Sequence, residues 1–241
     1  MQTNNETHIT KRAIPGVTIT LRDGYYKVRK IGLSARRVKT DPAFAATRKQ
    51  AKEFGAIVKL TQRWSEMVEQ ATGSKIARRK LSSTLAKIVL QDKVNLPGMR
   101  NLLQGNGDTL KGLDLNPTTS WKEMIGITIE SEYNPATQQI RIRLPAHNPV
   151  ATVSPPPQVT HYRVKVLLLA IDAQYNIEAT APLQTTLIPV RNITIPAWYR
   201  QKSDVFQNDR IYIVVGWVKW YGPGATPGPV TIMDSYWVKK Q

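Results

Sequence analysis

The sequence predicts an α+β chain in two parts: an N-terminal β-hairpin with helices, then a C-terminal all-β, immunoglobulin-like sandwich. Three observations carry this. Apolar residues recur at helical spacing over much of residues 42–92 and at a period of two from about Ile125 onward. Residues 17–30 alternate apolar and polar around Asp23-Gly24, a dipeptide that supplies the positive φ angles of a type I′ hairpin turn. Charge follows the same division: residues 1–120 hold 22 Lys/Arg against 9 Asp/Glu, and residues 121–241 hold 12 against 8. The expected organisation is a flexible tail (1–16), a basic hairpin and helical domain (17–120) and a β-sandwich domain (121–241).

The elements follow in order. In the second hairpin strand, Lys27 and Arg29 take the face opposite Tyr26 and Val28. Asp41 and Pro42 suit a helix start, as a cap and a first-turn residue that needs no N–H. Phe44, Ala51, Phe54, Val58 and Met67/Val68, with Ile57, Leu60 and Trp64 beside them, set a helix to about Ala71. Gly55 is tolerated, marks a bend or packs closely, and Gly73 is a C-terminal stop. Ser74 is the expected cap of a second helix through Leu81, Leu85 and Ile88. Leu96-Pro97-Gly98 breaks the chain, Met99–Leu103 makes a short helical turn, and 109–115 reads as a strand. The expected back-half strands are 126–133, 139–144, 159–172, 177–185, 187–195, 210–221 and 230–239. Seven strands without an intervening helix indicate a sandwich, and a small barrel leaves a similar trace.

Asp23-Gly-Tyr-Tyr-Lys-Val-Arg29, Arg37-Val-Lys-Thr-Asp-Pro-Ala-Phe44 with Thr47-Arg48, Glu53-Phe-Gly55, Arg100-Asn101 and Leu110-Lys-Gly-Leu-Asp-Leu-Asn116 resemble a family of uncharacterised proteins common in Bacteroidetes genomes. The resemblance covers about residues 20–118. It implies a basic front part followed by a more variable β-rich part, and it brings no catalytic or binding residue with it.

Catalytic patterns are scarce. With no cysteine, thiolate nucleophiles, thiolate metal sites and disulfides are excluded. His8, His147 and His161 are scattered, none at the spacing of a helical zinc site, and read as surface histidines. Gly105-Asn-Gly107 lacks the length and Lys-Ser/Thr of a phosphate loop. Glu130 and Glu132 share a strand face, either as a carboxylate pair or as a solvent-facing polar row. The expectation is a non-enzymatic protein without cofactor or metal. Residues 1–10 lack the pattern of a signal peptide, and the apolar run 166–171 is too short to span a bilayer, so the expected location is cytoplasmic.

The basic residues are the candidate partner-binding set: Lys27, Arg29, Lys30, Arg36, Arg37 and Lys39 from hairpin and arm, Arg48, Lys52 and Lys59 from the first helix, and Arg78, Arg79 and Lys80 from the second. Lys75 and Arg79 add a like-charge i, i+4 pair that an anion would relieve. Tyr25 and Tyr26 are either cross-strand packing residues or a stacking platform. Trp217, Trp220, Tyr221, Tyr236 and Trp237 suggest an aromatic patch, with Trp217 and Tyr221 on one strand face and Trp220 on the other. The expected function is that of a structural or interaction protein, a subunit docking with copies of itself or with other subunits. The alternative is a nucleic-acid-associated protein whose basic front half covers phosphate backbone.

Overall fold

The computed structural model describes residues 17–30, 34–202 and 209–238, so the expected tail 1–16 lies outside the described residues. The fold is α+β, with helices and several antiparallel sheets. Two compact units are distinguished, Met1–Arg48 and Lys49–Gln241.

In the first unit, β1 (Val17–Arg22) and β2 (Tyr25–Lys30) form the hairpin, with Ile19 opposite Val28 and Leu21 opposite Tyr26. Asp23 and Gly24 take φ of 53° and 79°, as a type I′ turn requires. A helix the sequence reading did not contain, α1 (Ala35–Thr40), starts where the Ser34 hydroxyl accepts from the Arg37 amide at 3.2 Å. The Asp41 carboxylate then accepts from the Ala43 amide at 2.9 Å and caps a 3-10 turn, Pro42–Phe44, that leads into α2 (Ala45–Thr72).

In the second unit, α2 and α3 (Arg78–Leu90) are followed by 3-10 turns at Leu102–Gln104 and Gly107–Leu110 and by the short helix α4 (Trp121–Met124). Then come β3 (Glu130–Asn134), β4 (Gln139–Leu144), the short helix α5 (Pro149–Thr152), β5 (His161–Asp172), β6 (Ile177–Ala179), β7 (Leu183–Gln184), β8 (Ile188–Pro189), β9 (Trp198–Lys202), β10 (Arg210–Tyr221) and β11 (Pro227–Val238). One sheet runs β11-β10-β5-β6, with β7 and β8 also pairing with β5, and a second runs β3-β4-β9.

Over residues 166–171 of β5 and 211–218 of β10, the two central strands are buried on both faces. Leu167, Leu169, Ile171, Ile211, Ile213, Val215 and Trp217 meet Ile57, Leu60, Trp64, Val68, Leu81, Leu85 and Ile88 of the helices. On the opposite face Val164, Val166, Leu168, Val214 and Val218 meet Ile140, Ile142 and Leu144 of the small sheet. Continuous apolar runs in antiparallel strands are the signature of such two-sided burial.

The structure departs from the sequence reading at definite places. The compact units meet at Arg48/Lys49, whereas the sequence reading set its domain boundary near residue 120; the helices bury their apolar stripes in one cluster with the sheet. That stripe on α2 is Ile57, Leu60, Trp64 and Val68, while Phe54 and Val58 are exposed. Gly55 has open space beside it and leaves α2 unbroken. Gly73, at φ 72°, ends α2 as expected, its N–H bonded to the Glu69 carbonyl. Ser74 caps nothing: its hydroxyl donates to the Gly228 carbonyl, and α3 begins later without a side-chain cap. Residues 109–115 form no strand, since Gly112 at φ 74° breaks the extended run. Even so, the Gly112 and Leu115 amides bond to the edge of β11. Residues 177–195 hold three short strands rather than two long ones. Pro182 and Pro189 have no N–H to give a ladder. β9 was missed because Trp-Tyr-Arg-Gln-Lys lacks apolar alternation.

β5 holds both fully buried and half-buried positions. Leu169→Ala should lower the unfolding free energy by about 2–5 kcal/mol in urea titrations. Lys165→Ala, four residues away on the same face, should change it by less than about 0.5 kcal/mol.

Candidate interaction surfaces

The hairpin is amphipathic along its pairing register. Val17, Ile19, Leu21, Tyr26 and Val28 share one face, and Thr20, Tyr25, Lys27 and Arg29 share the other. No described residue of this unit is buried, and Tyr26 and Val28 are 66% and 62% exposed. The tyrosines therefore do not pack into a core, and the apolar face presents itself to solvent.

Of the arm's cations, Lys27, Arg29, Arg36 and Lys39 are exposed. The side chain of Lys30 lies outside the described residues, as does His8. Arg37 pairs with Asp41 at 3.2 Å and lies 5.9 Å from the Phe44 ring. Arg48 is structural: its guanidinium donates to the carbonyls of Val38 and Asp41 at 2.8 and 2.9 Å, tying the end of α1 to the following turn. The spacing of Arg48 suggested a free cation; only the carbonyls that accept from it show otherwise.

The cations further along divide in the same way. Lys52, Lys59 and Arg79 are exposed. Arg78 pairs with Glu69 at 2.9 Å, and the second Glu69 oxygen accepts from the Ile76 amide at 3.0 Å. Lys80 donates to the Asp114 carbonyl at 3.2 Å. Lys75 precedes α3, so it makes no i, i+4 stack with Arg79.

A surface that sequence reasoning missed is the 92–101 loop. Glu53, buried on α2, accepts from the amides of Gly98 at 2.6 Å and Arg100 at 3.1 Å and from the Arg100 guanidinium at 3.1 and 3.0 Å. Burial pushes the Glu53 carboxyl up, but the Arg100 side chain, the two amides and the Arg100 charge outweigh it and hold it below its usual 4.5. Asp92 accepts from the amides of Val94, Asn95 and Asn101 and from the Asn95 side chain, all at 2.8–3.0 Å. Burial again opposes, and those bonds hold Asp92 below 3.8. The loop is thus clamped at both ends by buried carboxylates. Between the clamps Val94, Leu96 and Met99 are 77%, 72% and 72% exposed, with Leu90 and Phe54 also exposed. The sequence holds Glu53 and Arg100 as an acid and a base, but their pairing joins positions far apart along the chain.

The remaining candidates are structural or solvent-facing. His147 is a buried residue rather than a surface one: its Nδ1 lies 3.0 Å from the Pro145 carbonyl, so it donates there, and its Nε2 lies 2.5 Å from the Tyr162 hydroxyl. Trp217 and Trp220 are buried on opposite faces, while Tyr236 and Trp237 are half-buried, donating to Ser131 and to the Leu102 carbonyl. No open aromatic patch results. Glu130 and Glu132 line a shallow cleft of about 410 Å³ with Ser131, Arg141, Arg143 and Tyr199, and Glu130 pairs with Arg143 at 2.9 Å. This is a cross-strand polar row.

Among the described residues no group of three or more His, Asp or Glu is placed to hold a metal ion, and no helix is long and apolar enough to cross a membrane. No protein-family model, curated protein or solved structure matches the chain.

Carboxylates held below their unfolded values add stability that is complete above about pH 4.5 and is lost as pH falls through their folded values. The unfolding free energy should therefore drop between pH 6 and pH 3. Glu53→Ala leaves Arg100 without its buried partner and should cost about 3–5 kcal/mol at neutral pH while flattening that acid dependence. A neutral-pH cost near zero in urea titrations would contradict the clamp.

Proposed function

We propose that this protein is a non-enzymatic structural subunit that assembles with copies of itself, its folded core serving as scaffold and its hairpin arm as the docking element. The observation that carries this reading is the clamped loop. Val94, Leu96 and Met99 face solvent on a backbone fixed by Glu53 and Asp92. Apolar side chains on a rigid loop lose little entropy on binding, the property of interface anchors. The ribbon supplies the complementary piece: its apolar face of Ile19, Leu21, Tyr26 and Val28 is shaped to cover an apolar surface on a neighbour. We read the two antiparallel sheets around Tyr162 as the immunoglobulin-like sandwich, here with helices over one outer face.

A second reading, in which the arm contacts phosphate backbone, draws on the other ribbon face, where Lys27 and Arg29 stand exposed beside Thr20. The two readings differ in what the arm needs: an apolar counterpart or an anionic one.

Multi-angle light scattering on the intact chain separates them. Assembly predicts a discrete multiple of 27.1 kDa that persists at high salt. It should fall to monomer both in Val94→Ser/Leu96→Ser/Met99→Ser and in Ile19→Ser/Tyr26→Ser/Val28→Ser, each retaining its circular dichroism spectrum. A monomer at every concentration would overturn it, and a mass gain with nucleic acid at low salt that Lys27→Gln/Arg29→Gln abolishes would favour the second reading.

A further inference from the structure

The central strands change pattern partway along. β5 reads His-Tyr-Arg-Val-Lys-Val and then Leu-Leu-Leu-Ala-Ile, and β10 runs apolar from Ile211 to Val218 before Lys-Trp-Tyr. Alternation marks a strand covered on one face only, and an apolar run marks one covered on both. The switch falls at Lys165 and Trp217, opposite each other in register, where the helix-side core ends. Beyond that point the sheet keeps the small sheet on one face and offers the other to solvent.

That open face is cationic. Lys219 lies directly opposite Arg163, and Arg163 and Lys165 are two residues apart on one strand, about 6.6 Å along it. The Arg163 guanidinium and the Lys219 ammonium both lie over the Tyr221 ring, 5.8 and 5.6 Å from its centre, and Lys165 lies 6.0 Å from the centre of Trp217. Among the described residues no carboxylate pairs with any of the three. The Arg163 Nε is enclosed and finds no acceptor among them. Burial and the charges of Lys219 and Arg163 all hold Lys165 below its ordinary value.

Covering two rings needs one cation over each. Three cations, two of them facing each other across the strands, add repulsion that the folded chain does not relieve. The rings hold the cations in place, as a site for an anion requires. We propose that this face, formed by Arg163, Lys165 and Lys219 with Tyr221 and Trp217 beneath them, binds the phosphate backbone of single-stranded nucleic acid. The spacing of Arg163 and Lys165 along one strand lets them take successive phosphates of an extended chain. A second copy is the weaker occupant, since each chain carries a net charge of +17. The site belongs to the folded core and stands independently of the assembly reading.

The test is fluorescence anisotropy of labelled oligothymidylate with the intact chain across a salt series, beside Arg163→Gln/Lys165→Gln/Lys219→Gln. The intact chain should bind, and the triple variant should bind at least about tenfold more weakly. The slope of log affinity against log salt should shrink by about 2, as expected for three lost phosphate contacts. The arm is the same in both proteins, so any contribution from it cancels in the comparison. On the intact chain, oligothymidylate should also protect Lys165 and Lys219 from acylation, read by mass spectrometry, which keeps the test decisive if the triple variant misfolds. Absence of binding, an unchanged slope, unprotected lysines, or binding of polyglutamate but not oligothymidylate would each overturn the proposal, the last pointing to an acidic protein.

Discussion

The second unit depends on the pairing of β5 with β10, two twelve-residue strands in continuous antiparallel register from His161–Tyr221 to Asp172–Arg210. A strand pair apolar on both faces cannot stand at a surface, because each exposed face would leave a row of aliphatic side chains in water. It requires a layer on either side. The helices supply one and the small sheet supplies the other. The helices are therefore part of the same cooperative core as the sheet, and the unit begins at Lys49 rather than at the first strand of the back half.

The same constraint sorts the surface. Where both layers cover the central sheet, its sequence is apolar throughout. Where the helices stop, the sheet turns cationic at Arg163, Lys165 and Lys219. The loop between α3 and the 3-10 turn at Leu102–Gln104 is held by Glu53 and Asp92, which leaves its apolar side chains facing outward. A buried charge costs several kcal/mol unless matched, and Glu53 is matched by one guanidinium and two amides. Such an investment at a loop is understandable where the loop's shape matters to a partner.

Much of this was legible in local patterns. The hairpin followed from Asp23-Gly24, the cap from Asp41-Pro42, the helix stop from Gly73, and Gln139–Leu144 and Arg210–Tyr221 coincide with their expected bounds. These features depend on neighbours in sequence. What local pattern did not reveal depends on contacts between distant positions: Glu53 with Arg100, His147 with Tyr162, and the choice of Ile57, Leu60, Trp64 and Val68 over Phe54 and Val58 as the inward stripe. The cationic candidates show the limit most plainly. Arg48, Arg78 and Lys80 matched Lys52, Lys59 and Arg79 in type and spacing, yet the first three bond to the chain's own carbonyls or carboxylate and the others do not among the described residues.

In the proposed assembly, residues 49–241 form a scaffold, and a partner covers the hairpin and the clamped loop. Amide hydrogen exchange on the intact chain, dilute and then concentrated, tests it most directly. Amides of β5 and β10 should exchange at the global unfolding limit in both samples. Those of 17–30 should exchange orders of magnitude faster when dilute and slow on concentration, together with those of 94–99. Hairpin amides protected as strongly as β10 in the dilute chain, or unmoved by concentration, would contradict it.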